Sequence, residues 1–205
     1  NVLDVRFLEK PAFAVQQAKH AAADMAEVSR RAVFTAMDLI MNYDEQKAEQ
    51  VEMLEKKVDH YEDEIGTYLM QIGGGQISRE DSQTVAMLLH SIGDFERISD
   101  HAMNLSEVAH QMQKKEGRFS KKAVEELNIY MDAVREIISM SYQAFEEEDL
   151  KKAVMVEPLE EVIDHLDKEE KKRHMKRLRK EKCTIELGFC LSDIAMNLER
   201  IADHC

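Results

Sequence analysis

ERISDHA, residues Glu96–Ala102, returns almost unchanged as ERIADHC, residues Glu199–Cys205. One phrase written twice points to a duplicated chain, and the flanking sequence supports this. Displacing the chain on itself by 105 residues aligns Asp44 with Asp149, Lys47-Ala48 with Lys152-Ala153, and Val51-Glu52 with Val156-Glu157. The same shift brings Leu54-Glu55 onto Leu159-Glu160 and Asp59-His60 onto Asp164-His165. At the repeated phrase the displacement is 103, so the turn before it should be two residues longer in the first copy. Two copies make a pair of domains, not a solenoid.

Each copy reads as three helices. Apolar residues recur at three- and four-residue steps from about Phe13 to Tyr43: Ala18, Ala22, Met25, Val28, Ala32, Met37 and Ile40. Asp44 is placed to cap a second helix reaching about Ile72, with Val51, Leu54, Val58, Tyr61, Ile65 and Leu69 as its stripe. GGGQIS (Gly73–Ser78) is a turn, and Ser78 caps a third helix running to about Gln113. The charged segment KKEGRFS (Lys114–Ser120) divides the copies. Three more helices follow, over about Lys121–Glu147, about Asp149–Leu178 with a kink or restart at Pro158, and from near Thr184 onward. The expected fold is therefore all-α, two tandem three-helix bundles. Residues 1–12 form an extended lead-in, 13–116 the first bundle and 117–205 the second, whose last helix is cut short by the end of the chain.

The repeated phrase also carries the candidate chemistry. Glu-x-x-x-Asp-His occurs four times, two per copy: Glu55/Asp59, Glu96/Asp100, Glu160/Asp164 and Glu199/Asp203, each followed by a histidine (His60, His101, His165, His204). Residues i and i+4 share a helix face, so each motif sets two carboxylates side by side, an arrangement that a cation stabilises. If the second and third helices of a bundle face each other, four carboxylates converge. Oxygen donors of that kind suit hard cations. Asn104 and Asn197 extend the oxygen stripe, as ligands or as partners of ligands. Each histidine is turned about 100° from its aspartate, which suits a bond to a neighbouring helix better than a shared metal. Arg97 and Arg200 follow the motif glutamates and are placed to pair with a carboxylate. Solvated helix face is the competing reading of the four acidic pairs.

Composition narrows the field. A net charge of −13 disfavours a nucleic-acid partner. The basic run Lys168–Lys182 reads as solvated helix and turn, or as a face for an anionic membrane or an acidic partner. The 13 methionines read as core filler. Three cysteines without a CxxC pair fit a reducing compartment. No apolar run approaches the ~18–20 residues of a membrane span. No phosphate-binding glycine loop or nucleophile motif is present, so no enzymatic activity is expected. A carboxylate-bridged metal oxidoreductase would favour Glu-x-x-His ligands within one bundle, which this spacing does not supply.

DFERISDHAMN (Asp94–Asn104) and NLERIADHC (Asn197–Cys205) resemble the signature of the PhoU family, whose members are built from two three-helix repeats. The resemblance runs from about residue 13 to 205. It implies metal ions held by Glu55, Asp59, Glu96 and Asp100 in one bundle and by Glu160, Asp164, Glu199 and Asp203 in the other. Iron is implied, or Mg, Mn, Zn or Ca. LDVRFLEKPAFAVQQA (Leu3–Ala18) is similar to the segment joining the membrane part of Na/Pi-cotransporter-like proteins to their PhoU-like domain. That likeness implies a cytoplasmic regulatory domain at the inner membrane, excised from a longer chain. Its expected partners are the transmembrane phosphate-transport region of the same protein and a second copy in a homodimer, with peripheral membrane contact. The alternative is a free-standing PhoU-type regulator of an ABC phosphate transporter and its sensor kinase.

Overall fold

A computed structural model describes residues 3–115, 117–179 and 185–205. Its helices start where the sequence offers acceptors for their unpaired amides. The helices are α1 (Pro11–Met41), α2 (Glu45–Gly73), α3 (Arg79–Lys114), α4 (Lys121–Glu147), α5 (Leu150–Arg179) and α6 (Ile185–Asp203). Asp44 accepts from the amides of Gln46 (2.9 Å) and Lys47 (3.4 Å). Its counterpart Asp149 accepts from Lys151 (2.9 Å) and Lys152 (3.3 Å). Ser78 and Ser120 cap α3 and α4 by accepting from the amides of Asp81 and Ala123. Pro11 opens α1 at a position where a missing amide costs nothing.

The helices form two bundles, α1–α3 and α4–α6, joined mainly by α3 against α6 and also by α1 against α4. Helix α1 touches α2, α3 and α4, and its composition explains how. Ala14, Ala18, Ala21, Ala22, Ala26, Ala32 and Ala36 are buried around it, and such small side chains let neighbouring axes come close. Ser29 donates its hydroxyl to the Phe95 carbonyl (3.0 Å) and sits 3.2 Å from the Tyr142 hydroxyl, tying α1 to α3 and α4. Phe95 packs edge-on against Tyr142 and Phe145, each at 5.1 Å.

Several details depart from the sequence reading. The lead-in is not extended: Val5–Glu9 forms a 3-10 turn, Phe7 packs on Phe13, and Tyr68 donates to the Asp4 carbonyl at 3.0 Å. Helix α5 neither stops nor restarts at Pro158 but runs through it. The carbonyl that Pro158 leaves unpaired belongs to Val154, an exposed residue, where water can satisfy it. The methionines divide: Met25, Met37 and Met131 are fully buried, whereas Met53, Met70 and Met155 face solvent. The turn matching GGGQIS lies outside the described residues, as does Cys183.

The largest departure lies in the second core. At the positions matching Ala21, Ile65, Leu69 and Ile72, all buried, the second copy has Glu126, Glu170, His174 and Arg177. Arg177 donates to Glu126 (3.0 Å) and Glu170 (3.1 Å), and Arg173 lies 3.4 Å from Glu126. Within the described part of the basic run, Arg177 is turned inward onto buried carboxylates, while Lys168, Lys171, Lys172, Arg173 and Lys176 stay exposed as a solvated helix face.

The partner expectation is corrected here. Among the described residues no helix is long and apolar enough to cross a membrane, because charged side chains recur along every one of them. The transmembrane phosphate-transport region expected as a partner within the same protein is thus absent from the described chain, and that partner is withdrawn.

Candidate metal centre

The apolar stripe of α2 (Val51, Val58, Ile65, Leu69) is buried, and so are Ile92, Phe95, Ile98 and Ala102 of α3. Packing these stripes leaves the acidic faces of α2 and α3 opposed along one seam. Glu55, Asp59 and Glu62 stand at i, i+4 and i+7 on α2, facing Glu96 and Asp100 of α3. One oxygen each from Glu55, Asp59 and Asp100 lie within 4.8 Å of one another, and so do oxygens of Asp59, Glu62 and Glu96. Asp59 belongs to both sets and stands between two potential cation positions. All the donors are carboxylate oxygens, so the set fits a hard cation or a pair of them.

The electrostatics follow from the crowding. Burial foremost, then the hydrogen bond and charge of Asp59 and the charge of Asp100, push Glu55 up to about 7. Burial, then the hydrogen bond and charge of Asp100, push Glu96 up to about 8. Burial and the charges of Asp59, Asp63 and Asp100 also raise Glu62. Lys56 and Arg97 only partly offset the crowding at Glu55 and Glu62, and a metal ion bound among these glutamates would replace their protons.

Glu62 escaped the sequence reading because Glu-x-x-x-Asp ends at Asp59. The signal was present all the same, since Glu62 lies three residues further along the same face. Its counterpart under the 105-residue shift is Asp167, which is also part of a cluster.

The second bundle repeats the plan with a difference. Glu160 is raised by burial, then by the charges of Asp203 and Asp164, with a hydrogen bond to Asp203. Glu199 is raised by burial and Asp167 but held down by Lys171. The structure thus brings Glu160, Asp164, Glu199 and Asp203 into one cluster with Asp167. Among the described residues, however, triads with donor atoms within 4.8 Å occur only in the first bundle.

The histidines lie elsewhere. His101 donates from Nδ1 to Asn197 Oδ1 (3.0 Å), and His204 donates from Nδ1 to Asp94 Oδ1 (3.0 Å). The two rings stack at 6.0 Å. Since His101 matches His204 and Asp94 matches Asn197, these contacts are reciprocal between the copies. Asn104 donates to Asn197 (3.3 Å) at the same junction, so neither asparagine extends the acidic seam. Arg97 pairs with Asp94 at 3.7 Å rather than with Glu96. His60 and His165 are exposed, and His60 lies 3.2 Å from Glu64.

With this geometry in view, known proteins place the fold. The sequence profile of the PhoU domain matches residues 22–109 and 127–205. The chain is 27% identical over 120 residues to a Thermotoga maritima protein named phosphate-specific transport system accessory protein PhoU homolog 1. That match covers 58% of this chain and about half (51%) of the relative. The crystal structure of PhoU from Pseudomonas aeruginosa superposes with a TM-score of 0.86 at 21% identity, covering 92% of this chain and 90% of that one. The phosphate transport system regulatory protein PhoU from Streptococcus pneumoniae gives 0.83 at 17%, covering 95% and 91%.

Proposed function

Because the chain belongs to the PhoU family, we propose that it is a metal-binding regulator that works with an ABC-type phosphate transporter and its sensor kinase. Proteins of this family are non-catalytic regulators, so no reaction is assigned. The observation that carries the metal half of the proposal is the seam of Glu55, Asp59, Glu62, Glu96 and Asp100, with donor oxygens within 4.8 Å in two overlapping sets. The Thermotoga relative's name supports the transport half. None of these relatives is named as part of a Na/Pi cotransporter, so that reading has no support among them. Iron, manganese, magnesium, zinc or calcium ions are the cargo we assign to the seam, and Glu160, Asp164, Glu199 and Asp203 are assigned to a second site. The cytoplasm is the proposed location, in keeping with free thiols at Cys190 and Cys205.

Two measurements test the proposal together. Wild-type protein and the double variant Glu96→Ala/Asp100→Ala are loaded with Fe2+ or Mn2+, desalted and assayed for metal by elemental analysis, with helicity checked by circular dichroism. The variant should keep its helices and lose metal. In cells, deletion should change the output of a phosphate-starvation promoter, and the double variant should not restore it. Equal metal in both proteins, or none in the wild type, would overturn the metal half. A promoter indifferent to deletion would overturn the regulatory half.

A further inference from the structure

The two bundles match position by position except where a cation would matter most. Under the 105-residue shift, Glu62 falls on Asp167 and Gly66 falls on Lys171. In the second bundle the Lys171 ammonium lies 2.6 Å from Asp167 Oδ2 and 3.7 Å from Glu199 Oε2. The Asp167 side chain is only 4% exposed. Its other oxygen accepts from the Tyr130 hydroxyl at 3.4 Å. Both oxygens of this buried carboxylate are therefore engaged, one by an ammonium and one by a phenol.

The first bundle has no such arrangement. Glu62 and Glu96, the counterparts of Asp167 and Glu199, come within 4.8 Å of Asp59 and of each other. Among the described residues, no basic side chain forms an ion pair with Glu55, Asp59, Glu62, Glu96 or Asp100. At Gly66 there is space instead. A Cβ built there meets only Ile92 Cδ1, at an ordinary 3.8 Å. The position opens on a groove lined by Glu62, Gly66, Thr67, Leu89 and Ile92.

We propose that Lys171 is a built-in cation of the second bundle, an ammonium standing where a metal ion sits between the matching carboxylates of the first. The proposal rests on the metal-binding reading above and extends it to unequal sites. The seam with Gly66 takes a full complement of ions. The seam with Lys171 takes fewer, held by Glu160, Asp164, Glu199 and Asp203, because one position is already neutralised. A tethered ammonium is a point charge with three donors and no exchangeable coordination sphere, so it can balance charge there but cannot bridge carboxylates as a metal does.

The test exchanges the two residues. Wild-type protein, Lys171→Met and Gly66→Lys are stripped with chelator, loaded with Mn2+, desalted and assayed by elemental analysis alongside thermal unfolding. Lys171→Met should gain about one equivalent of Mn2+ per chain, and Gly66→Lys should lose about one, because each substitution shifts the local charge by one unit. Stripped Lys171→Met should melt below wild type, because Asp167 loses its partner, and Mn2+ should restore more of its melting temperature than it adds to wild type. Unchanged stoichiometry in both variants, with Glu96→Ala/Asp100→Ala still losing metal, would sink the proposal while the metal site stands. No bound Mn2+ in the wild type would remove both. If Lys171→Met does not fold, Gly66→Lys decides alone, since its side chain enters open space.

Discussion

Stripping the protein of metal and raising the pH should destabilise it, and the size of the effect follows from the first acidic seam. In the unfolded chain Glu55 and Glu96 ionise near 4.5, whereas in the folded protein they hold protons to about 7 and about 8. Between those limits the folded state binds more protons than the unfolded state, so stability falls as pH rises. Fully ionised, the seam sets carboxylates within 4.8 Å of each other. Two like charges at that distance repel by about 1 kcal/mol at the dielectric of water and about 3.5 kcal/mol at an effective value near 20. The side chains are half exposed, and solvent screening holds the cost of the ionised seam to about 1–3 kcal/mol. For a chain of this size that is a drop in melting temperature of ~3–10 °C. The assay is thermal unfolding by circular dichroism in chelator from pH 5 to pH 8.5, for wild type and for Glu55→Gln/Glu96→Gln. The wild type should lose stability across that range and recover it with excess Mn2+ at the upper end. The variant, which cannot ionise at either position, should be flatter. Parallel curves for the two proteins would refute the reasoning.

Other outcomes follow from neighbouring features. Arg177→Met leaves the buried Glu170 without its guanidinium and Glu126 with only Arg173, and should cost about 3–5 kcal/mol in urea unfolding. That loss should shrink as pH falls, because burial, only partly offset by Arg177, already pushes Glu170 up to about 7. Asp94→Ala removes the partner of His204 and Arg97 and should cost about 1 kcal/mol, with no change in bound metal, because Asp94 serves the junction between bundles rather than the acidic seam.

Most of the helical plan was legible in the sequence because it rests on local rules. Asp44, Ser78, Ser120 and Asp149 mark helix starts by an interaction that spans two or three residues. The acidic seam was legible because i and i+4 spacing is also local. What depends on which helix lies opposite was harder to read. His101 could be turned away from its aspartate by counting, yet its partner Asn197 lies on another helix and required the fold. The inward turn of Arg177 had the same obstacle, since a basic run reveals its partners only when Glu126 is brought beside it. Helix α5 continues through Pro158 instead of restarting there, since the carbonyl left without a partner belongs to the exposed Val154 and can turn to water. Glu62 lay outside the motif for a smaller reason: Glu-x-x-x-Asp spans five residues, whereas the acidic face from Glu55 to Glu62 spans eight.

The junction of α3 and α6 has a consequence for how this molecule can change. His101 reaches across to position 197 and His204 reaches back to position 94, the reciprocity of a two-fold dimer interface. In a true homodimer every substitution appears twice, so a lysine introduced into one acidic seam must enter the other. Joining the two copies in one chain removes that constraint. Asp94 can face Asn197, and Gly66 can answer Lys171, without either change being copied across the axis. The covalent link thus does more than hold two bundles together: it frees each half to change alone, and so lets the two carboxylate seams carry different residues at matching positions.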